Sequence, residues 1–229
     1  MTANEIIYAI REKLKAYTDD TRYTNGYLMF LINLKRSLFI RREYNQFQRT
    51  IDVDTLQSIC MDIEAVDESE CPDCGELGGC QIYRTVEKLP KRIELHNRQV
   101  ITRIAPLGVA NKPFTIVSRN RFIYAGEAKH EATFVFATVH DNGYIYLKSK
   151  QRYHQGLDKI TVTQLFENPD DASAFNCNNE TCYDLDTTEY PCKQWMVDLI
   201  ITEIVKELAM LKELPSDVLN NAKDDTVTV

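Results

Sequence analysis

Apolar positions recur at helical spacing at both ends of the chain and alternate in its middle. Near the start, Ile6, Ile10, Leu14 and Tyr17 stand four, four and three residues apart, one stripe of an amphipathic helix. Thr2 or Asn4 can cap that helix, which is predicted to run to about Ala16. Thr18-Asp-Asp-Thr21 ends it, because short polar side chains compete for the backbone hydrogen bonds a helix needs. A second helix is predicted from Thr24 to Gln46, roughly 30 Å long at about 1.5 Å per residue. Tyr27, Leu31, Leu34 and Leu38 form its main stripe, and Leu28, Phe30, Ile32 and Phe39 widen the stripe beyond the ~100° that one core covers. A helix apolar on that much of its girth is either deeply buried or shared with a partner. Arg41 and Arg42 are read as its last turn, where they suit the negative end of the helix dipole.

The period then changes from 3.6 to 2. Ile59, Met61, Ile63 and Ala65 lie on one face of a predicted strand, with Asp62 and Glu64 on the other. Leu89-Pro90 breaks the next segment, and strands are predicted at Arg92–Leu95, Val100–Ile104, Phe114–Val117 and Arg121–Tyr124. Thr133–Lys148 reads as a hairpin around His140-Asp-Asn-Gly143, with Asn142-Gly143 as a type I′ turn signal. Lys159–Phe166 is a further strand, stopped by Glu167-Asn-Pro-Asp-Asp171. Most connections are too short for crossover helices, so the sheet is expected to be mainly antiparallel, open or closed into a small barrel.

Residues 172–190 read as an acidic loop, with Pro191 in the first turn of a last helix. Trp195, Val197, Leu199, Ile201, Ile204, Val205, Leu208 and Leu211 line that helix, and Leu214-Pro215 ends it. The expected class is α+β. Residues 1–50 and 191–214 make a helical bundle, residues 51–190 a β-rich domain with a cysteine loop at 71–80, and residues 215–229 a polar tail.

At 229 residues the chain is long enough to bury a core without staples. Its net charge of −7 argues against affinity for the phosphate backbone. The N-terminus has no basic stretch followed by an apolar one, and the longest apolar run is far short of a bilayer span. These features predict a soluble chain without membrane contact, made in a cytosol where its seven cysteines are reduced. From Thr50 to Tyr83 there are nine acidic residues and no Lys or Arg, whereas Lys35–Arg49 and Lys88–Arg103 are rich in basic residues. Such segments make solvated faces, or complementary patches between subunits.

Candidate chemistry is sparse. Cys71-Pro-Asp-Cys74, with Cys80 six residues on, is the one metal-like spacing, and Cys60, Cys177 or Cys182 could complete a zinc site. Free thiols, or a disulfide formed on oxidation, fit the same spacing. The acidic, Gly-rich surroundings disfavour a redox-active thiolate. His96, His130, His140 and His154 sit in no metal or nucleophile motif, and no nucleophile elbow, P-loop, GxGxxG or HExxH is present. Asn179-Glu-Thr181 matches a glycosylation sequon that carries no weight without export. Arg119, Arg121, Tyr124, Lys148, Lys150, Arg152 and Tyr153 could form a stacking face for single-stranded nucleic acid, or an ordinary sheet face with snorkelling charges.

The order of segments carries a resemblance. Residues 3–44, a short helix, a turn containing Asp-Asp and a longer helix with an Arg-rich end, resemble the start of head-to-tail connector proteins of short-tailed bacteriophages. In particular they look like the adaptor or ring proteins of such phages, including those of the crAss-like group. Arg84-Thr85 with Leu89-Pro90, Glu167-Asn-Pro169, Leu214-Pro-Ser-Asp217 and Asn220-Asn221-Ala-Lys-Asp224-Asp225 follow the same order. The cysteine loop at 71–80 does not map onto that pattern.

The resemblance implies a structural virion protein; no catalytic residue, metal ligand or cofactor is assigned, and the resemblance says nothing about metal at the cysteine loop. It implies a ring of copies, typically twelve, beneath the portal protein and joined to the next tail or ring protein. Such a ring lines part of the channel through which double-stranded DNA leaves, without reading its sequence. The helices Tyr27–Tyr44 and Gln194–Leu211 would build the wall, and the tail after Leu214 would reach into a partner. Two other readings stand beside it: a zinc-clipped binding or regulatory module, and a Cys-dependent enzyme.

Overall fold

A reciprocal cap starts the first helix. Thr2 Oγ1 accepts the Glu5 N–H at 3.3 Å, and Glu5 Oε2 accepts the Thr2 N–H at 2.9 Å. This capping box satisfies two of the donors that a helix start leaves open. The computed structural model describes residues 1–15, 23–47, 51–67, 70–71, 81–96, 100–107, 112–126, 130–131, 133–150, 157–177 and 180–213. Tyr17, the Thr18–Thr21 breaker and everything after Glu213 lie outside the described residues, as does the Leu211 side chain. The chain divides into two units, Met1–Phe39 with Leu185–Val229, and Ile40–Asp184. The class is α+β, as the change of period predicts.

The first unit is helical. It holds α1 (Ala3–Lys15), the first part of α2 (Asn25–Phe47) and α4 (Gln194–Glu213). Thr24 Oγ1 caps α2 by accepting the Tyr27 N–H at 3.3 Å. Ile6, Ile10 and Leu14 of α1 pack with Leu28, Leu31 and Ile32 of α2 and with Val197, Ile201, Ile204 and Leu208 of α4. Each such side chain, fully buried, contributes about 1.5–3 kcal/mol relative to exposure. At the rim, Lys35 Nζ lies 2.7 Å from Glu207 and 3.7 Å from Glu203, and its hydrogen bond to the accepting Glu207 carboxylate raises the Lys35 pKa above its usual value.

A buried polar cluster fixes the entry to α4. Arg36 Nε donates to the Pro191 carbonyl at 2.7 Å, and its guanidinium lies over the Tyr190 ring, 5.7 Å from the centroid. The Tyr190 hydroxyl donates to Asn33 Oδ1 at 2.8 Å, and the Tyr190 N–H to the Met1 carbonyl at 2.9 Å. Pro191 therefore stands three residues before the first helical residue, Gln194, instead of in the first turn. Its carbonyl serves Arg36. Arg41 and Arg42 likewise precede the last turn of α2, because that helix continues to Phe47.

The second unit is a sheet of seven strands, reached from the last turns of α2. Here the Asp52 N–H donates to the Tyr44 hydroxyl at 3.0 Å, and the His96 N–H to Asn45 Oδ1 at 3.0 Å. The strands are β1 (Gln57–Val66), β2 (Gln81–Thr85), β3 (Ile101–Pro106), β4 (Thr115–Ile116), β5 (Phe136–Val139), β6 (Ile145–Ser149) and β7 (Lys159–Gln164). Their order is β3-β7-β1-β2-β6-β5-β4, antiparallel throughout except for β4 with β5. The Phe114 N–H donates to the Ile104 carbonyl at 2.7 Å, which draws the two edges together into a nearly closed barrel.

Register follows the alternation. Ile59 faces Val162 and Met61 faces Ile160 across the β1–β7 pair, and Ala137 faces Leu147 across β5–β6. These residues, with Ile104, Ile145 and Phe166, fill the interior. On the other side of β6, Tyr146 packs with Ile82, Phe122, Ala125 and Phe136, so this strand is buried on both faces.

Several further predicted features differ. Ala65 is exposed near the end of β1. Arg92–Leu95 makes a single bridge, Arg92 with Phe166, and no strand. Arg121–Tyr124 is not a strand: Arg119–Phe122 forms α3, and the turn that follows puts Phe122 and Ala125 on the same cluster. The acidic stretch 172–190 is not all loop, because Pro169–Ala174 makes a 3₁₀ turn and β8 (Asn176–Cys177) pairs with β9 (Glu180–Thr181). The predicted hairpin exists, with a different turn. The Gly143 N–H bonds the His140 carbonyl at 2.9 Å and the His140 N–H bonds the Tyr144 carbonyl at 3.1 Å, with Gly143 at φ 85°. That is a three-residue loop whose glycine follows the turn, so Asp141-Asn142 occupies its centre instead of Asn142-Gly143.

Candidate functional site

Helix α2 has two apolar faces, and within its own unit only one is covered. Leu28, Leu31 and Ile32 are buried, whereas Tyr27 is 41% exposed, Phe30 60%, Leu34 45% and Leu38 53%. These four recur at intervals of three, four and four, so they form a continuous stripe along one side of the helix. On α4, Trp195 and Leu199 are also exposed, four residues apart and therefore on one face. Neither joins the buried row expected of them. Scattered exposed leucines need no explanation, but a contiguous row of large apolar side chains marks an interaction surface.

The sequence carries the signal for this arrangement. Positions 27, 30, 34 and 38 and positions 28, 31, 32 and 39 each have helical spacing, and they are two stripes, not one wide one. Leu31 belongs with the buried row, and Phe30 with the exposed one.

Among the described residues weighed for chemistry, Cys60, Cys177 and Cys182 come together, whereas the histidines do not join them. Cys71 is disulfide-bonded, while Cys74 and Cys80 lie outside the described residues. Cys60 bonds Cys177, with 5.3 Å between their Cα atoms, instead of remaining a reduced thiol. That separation arises because β1 and β8 are neighbours, and it suits a disulfide. His140 is buried against Tyr146, with centroids 4.5 Å apart, and against Phe122. His96 and His130 are exposed elsewhere, and His154 lies outside the described residues, as does Asn179 of the sequon.

The described members of the aromatic and basic set are placed differently from one another. Lys148 is buried and its Nζ donates to the Ile123 carbonyl at 2.8 Å, and Arg119 pairs with Asp141. Tyr124 is exposed, and Arg152 and Tyr153 lie outside the described residues. A cleft of about 370 Å³ opens beside β3, β4 and β5, rimmed by Arg92, Glu94, Ser118, Arg119 and Thr138. Among the described residues its lining holds no Cys or His. Asp170 and Asp171 both have pKa values raised by burial, and they are chain neighbours in one 3₁₀ turn.

Comparison with known proteins gives a family. The family model described as phage tail ring protein 2 matches residues 5–226. A relative named Ring protein 2, from Bacteroides phage crAss001, is 31% identical over 227 residues, which is 98% of this chain and 98% of the relative.

Proposed function

From the premise that the chain belongs to the phage tail ring protein 2 family, we propose that it is the subunit of a ring in the neck of the particle. Copies of the chain assemble side by side, and the α2 stripe of Tyr27, Phe30, Leu34 and Leu38 is covered by the next copy. That stripe is the observation that carries the reading, since a ring needs a heterologous contact that closes. Burying its four side chains adds apolar area at roughly 25 cal/mol per Å², offset in part by the cost of association.

The ring joins portal to tail and lines part of the DNA exit path, with twelve as the expected number of copies. The net charge of −7 supports the conduit role, because an acidic lumen repels phosphate and lets the duplex slide. The role is structural, and no residue is assigned a catalytic part.

Light scattering and electron microscopy of the purified chain, alone and mixed with the portal protein, test this. Closed rings are expected from the wild type, and Leu34→Asp with Leu38→Asp is expected to give folded subunits that do not close. Rings that form normally from the double variant would overturn the assignment of the stripe. A wild type that stays monomeric with the portal present would overturn the ring reading.

A further inference from the structure

Three sulfurs meet where β1 passes the β8–β9 hairpin. Cys60 lies on β1 opposite Thr161 of β7, and Cys177 ends β8. Cys177 pairs with Glu180, and Cys182 follows Glu180 by two residues. Residues two apart on a strand share a face, so Cys182 projects to the same side as Cys177. Cys60 and Cys177 are bonded, and the Cys182 thiol stands 3.0 Å from Cys177 Sγ. Cys182 itself is in no disulfide, and all three sulfurs lie within 4.8 Å of one another. A disulfide uses two sulfurs, yet the fold brings a third thiol against the bond.

We propose that Cys60, Cys177 and Cys182 form a thiol–disulfide exchange centre in which Cys177 trades its partner between Cys60 and Cys182. The Cys182 thiol gives its proton to solvent, and the thiolate attacks Cys177 Sγ. The Cys177–Cys182 bond forms as the Cys60–Cys177 bond breaks, and the electron pair of the broken bond leaves on Cys60 Sγ. That sulfur then takes up a proton. Thr161 Oγ1, 3.9 Å from Cys60 Sγ, is placed to donate to the leaving thiolate. One disulfide and one thiol are present before and after, so no oxidant or reductant is consumed.

The two bonds tie different things. Cys60–Cys177 joins β1 to the hairpin across 117 residues of sequence, whereas Cys177–Cys182 closes the hairpin on itself. Exchange therefore frees the β8–β9 hairpin from β1, or fastens it, without changing the redox state of the chain.

The test is linkage mapping of the full-length protein. Wild-type chain is incubated unreduced at mildly alkaline pH, acid-quenched, blocked with N-ethylmaleimide and mapped by mass spectrometry. Two populations are expected, one with Cys60–Cys177 joined and Cys182 blocked, the other with Cys177–Cys182 joined and Cys60 blocked. Cys60→Ser should carry the Cys177–Cys182 bond, and Cys182→Ser should carry Cys60–Cys177 alone. The proposal is overturned by Cys60–Cys177 as the single linkage in the wild type. It is overturned equally by Cys177 joined to a cysteine outside the trio, or by one zinc ion held on three unbonded thiols. If Cys60→Ser does not fold, the two wild-type populations decide the matter.

Discussion

Leu31 and Leu34 are one helical turn apart, yet their surroundings are opposite, 4% against 45% exposed. A carboxylate at Leu31 would enter the core shared by α1, α2 and α4, and Leu31→Asp is expected to cost at least about 3 kcal/mol in a denaturant titration. Leu34→Asp should stay within about 0.5 kcal/mol of the wild type in the same titration while acting on assembly. Asp170 provides a pH signature. Its Oδ1 is buried without a hydrogen-bond partner, and its pKa is raised first by burial and then by the Asp171 charge. The folded chain thus binds this proton more tightly than the unfolded chain, so charging Asp170 destabilises the fold as pH rises above the unfolded value of about 3.9. Asp170→Asn should therefore raise the thermal midpoint at neutral pH, and the gain should vanish near pH 3.

At the scale of elements, much of the fold is written in periodicity, and the departures have local causes. The stripes of α1 and α4 and the alternation of Ile59 and Met61 in β1 locate the two cores because burial follows those periods. Arg121–Tyr124 misleads because alternate residues look strand-like, while the bond from the Phe122 N–H to the Ser118 carbonyl at 3.0 Å holds a helical turn. The β8–β9 hairpin is hidden by an acidic stretch whose strands are only two residues each. Which α2 stripe faces out was readable as spacing, but not as orientation, since both stripes are apolar. The cysteine trio was less legible still, because it depends on β1 and β8 meeting across 117 residues. Two element-level substitutions check the caps and turns. Thr2→Ala removes one arm of the capping box and should cost about 0.5–2 kcal/mol. Gly143→Ala forces a side chain to φ 85°, and should cost about 1 kcal/mol in a thermal melt.

For the whole molecule, the Cys60–Cys177 bond closes the longest loop that a described disulfide spans. Cys177→Ser removes it together with its proposed alternative, and should lower stability by about 2–4 kcal/mol in guanidinium unfolding. The sheet has a different consequence at this scale. Its end strands, β3 with six residues and β4 with two, are drawn together by the Phe114–Ile104 bond. That leaves little backbone at the sheet ends for a neighbouring chain to extend by strand addition. On the proposed ring reading, contacts of neighbours with this unit run through side chains, which evolution can swap one at a time. Contacts made that way can be rewritten from virus to virus while the barrel beneath them keeps its hydrogen-bond pattern.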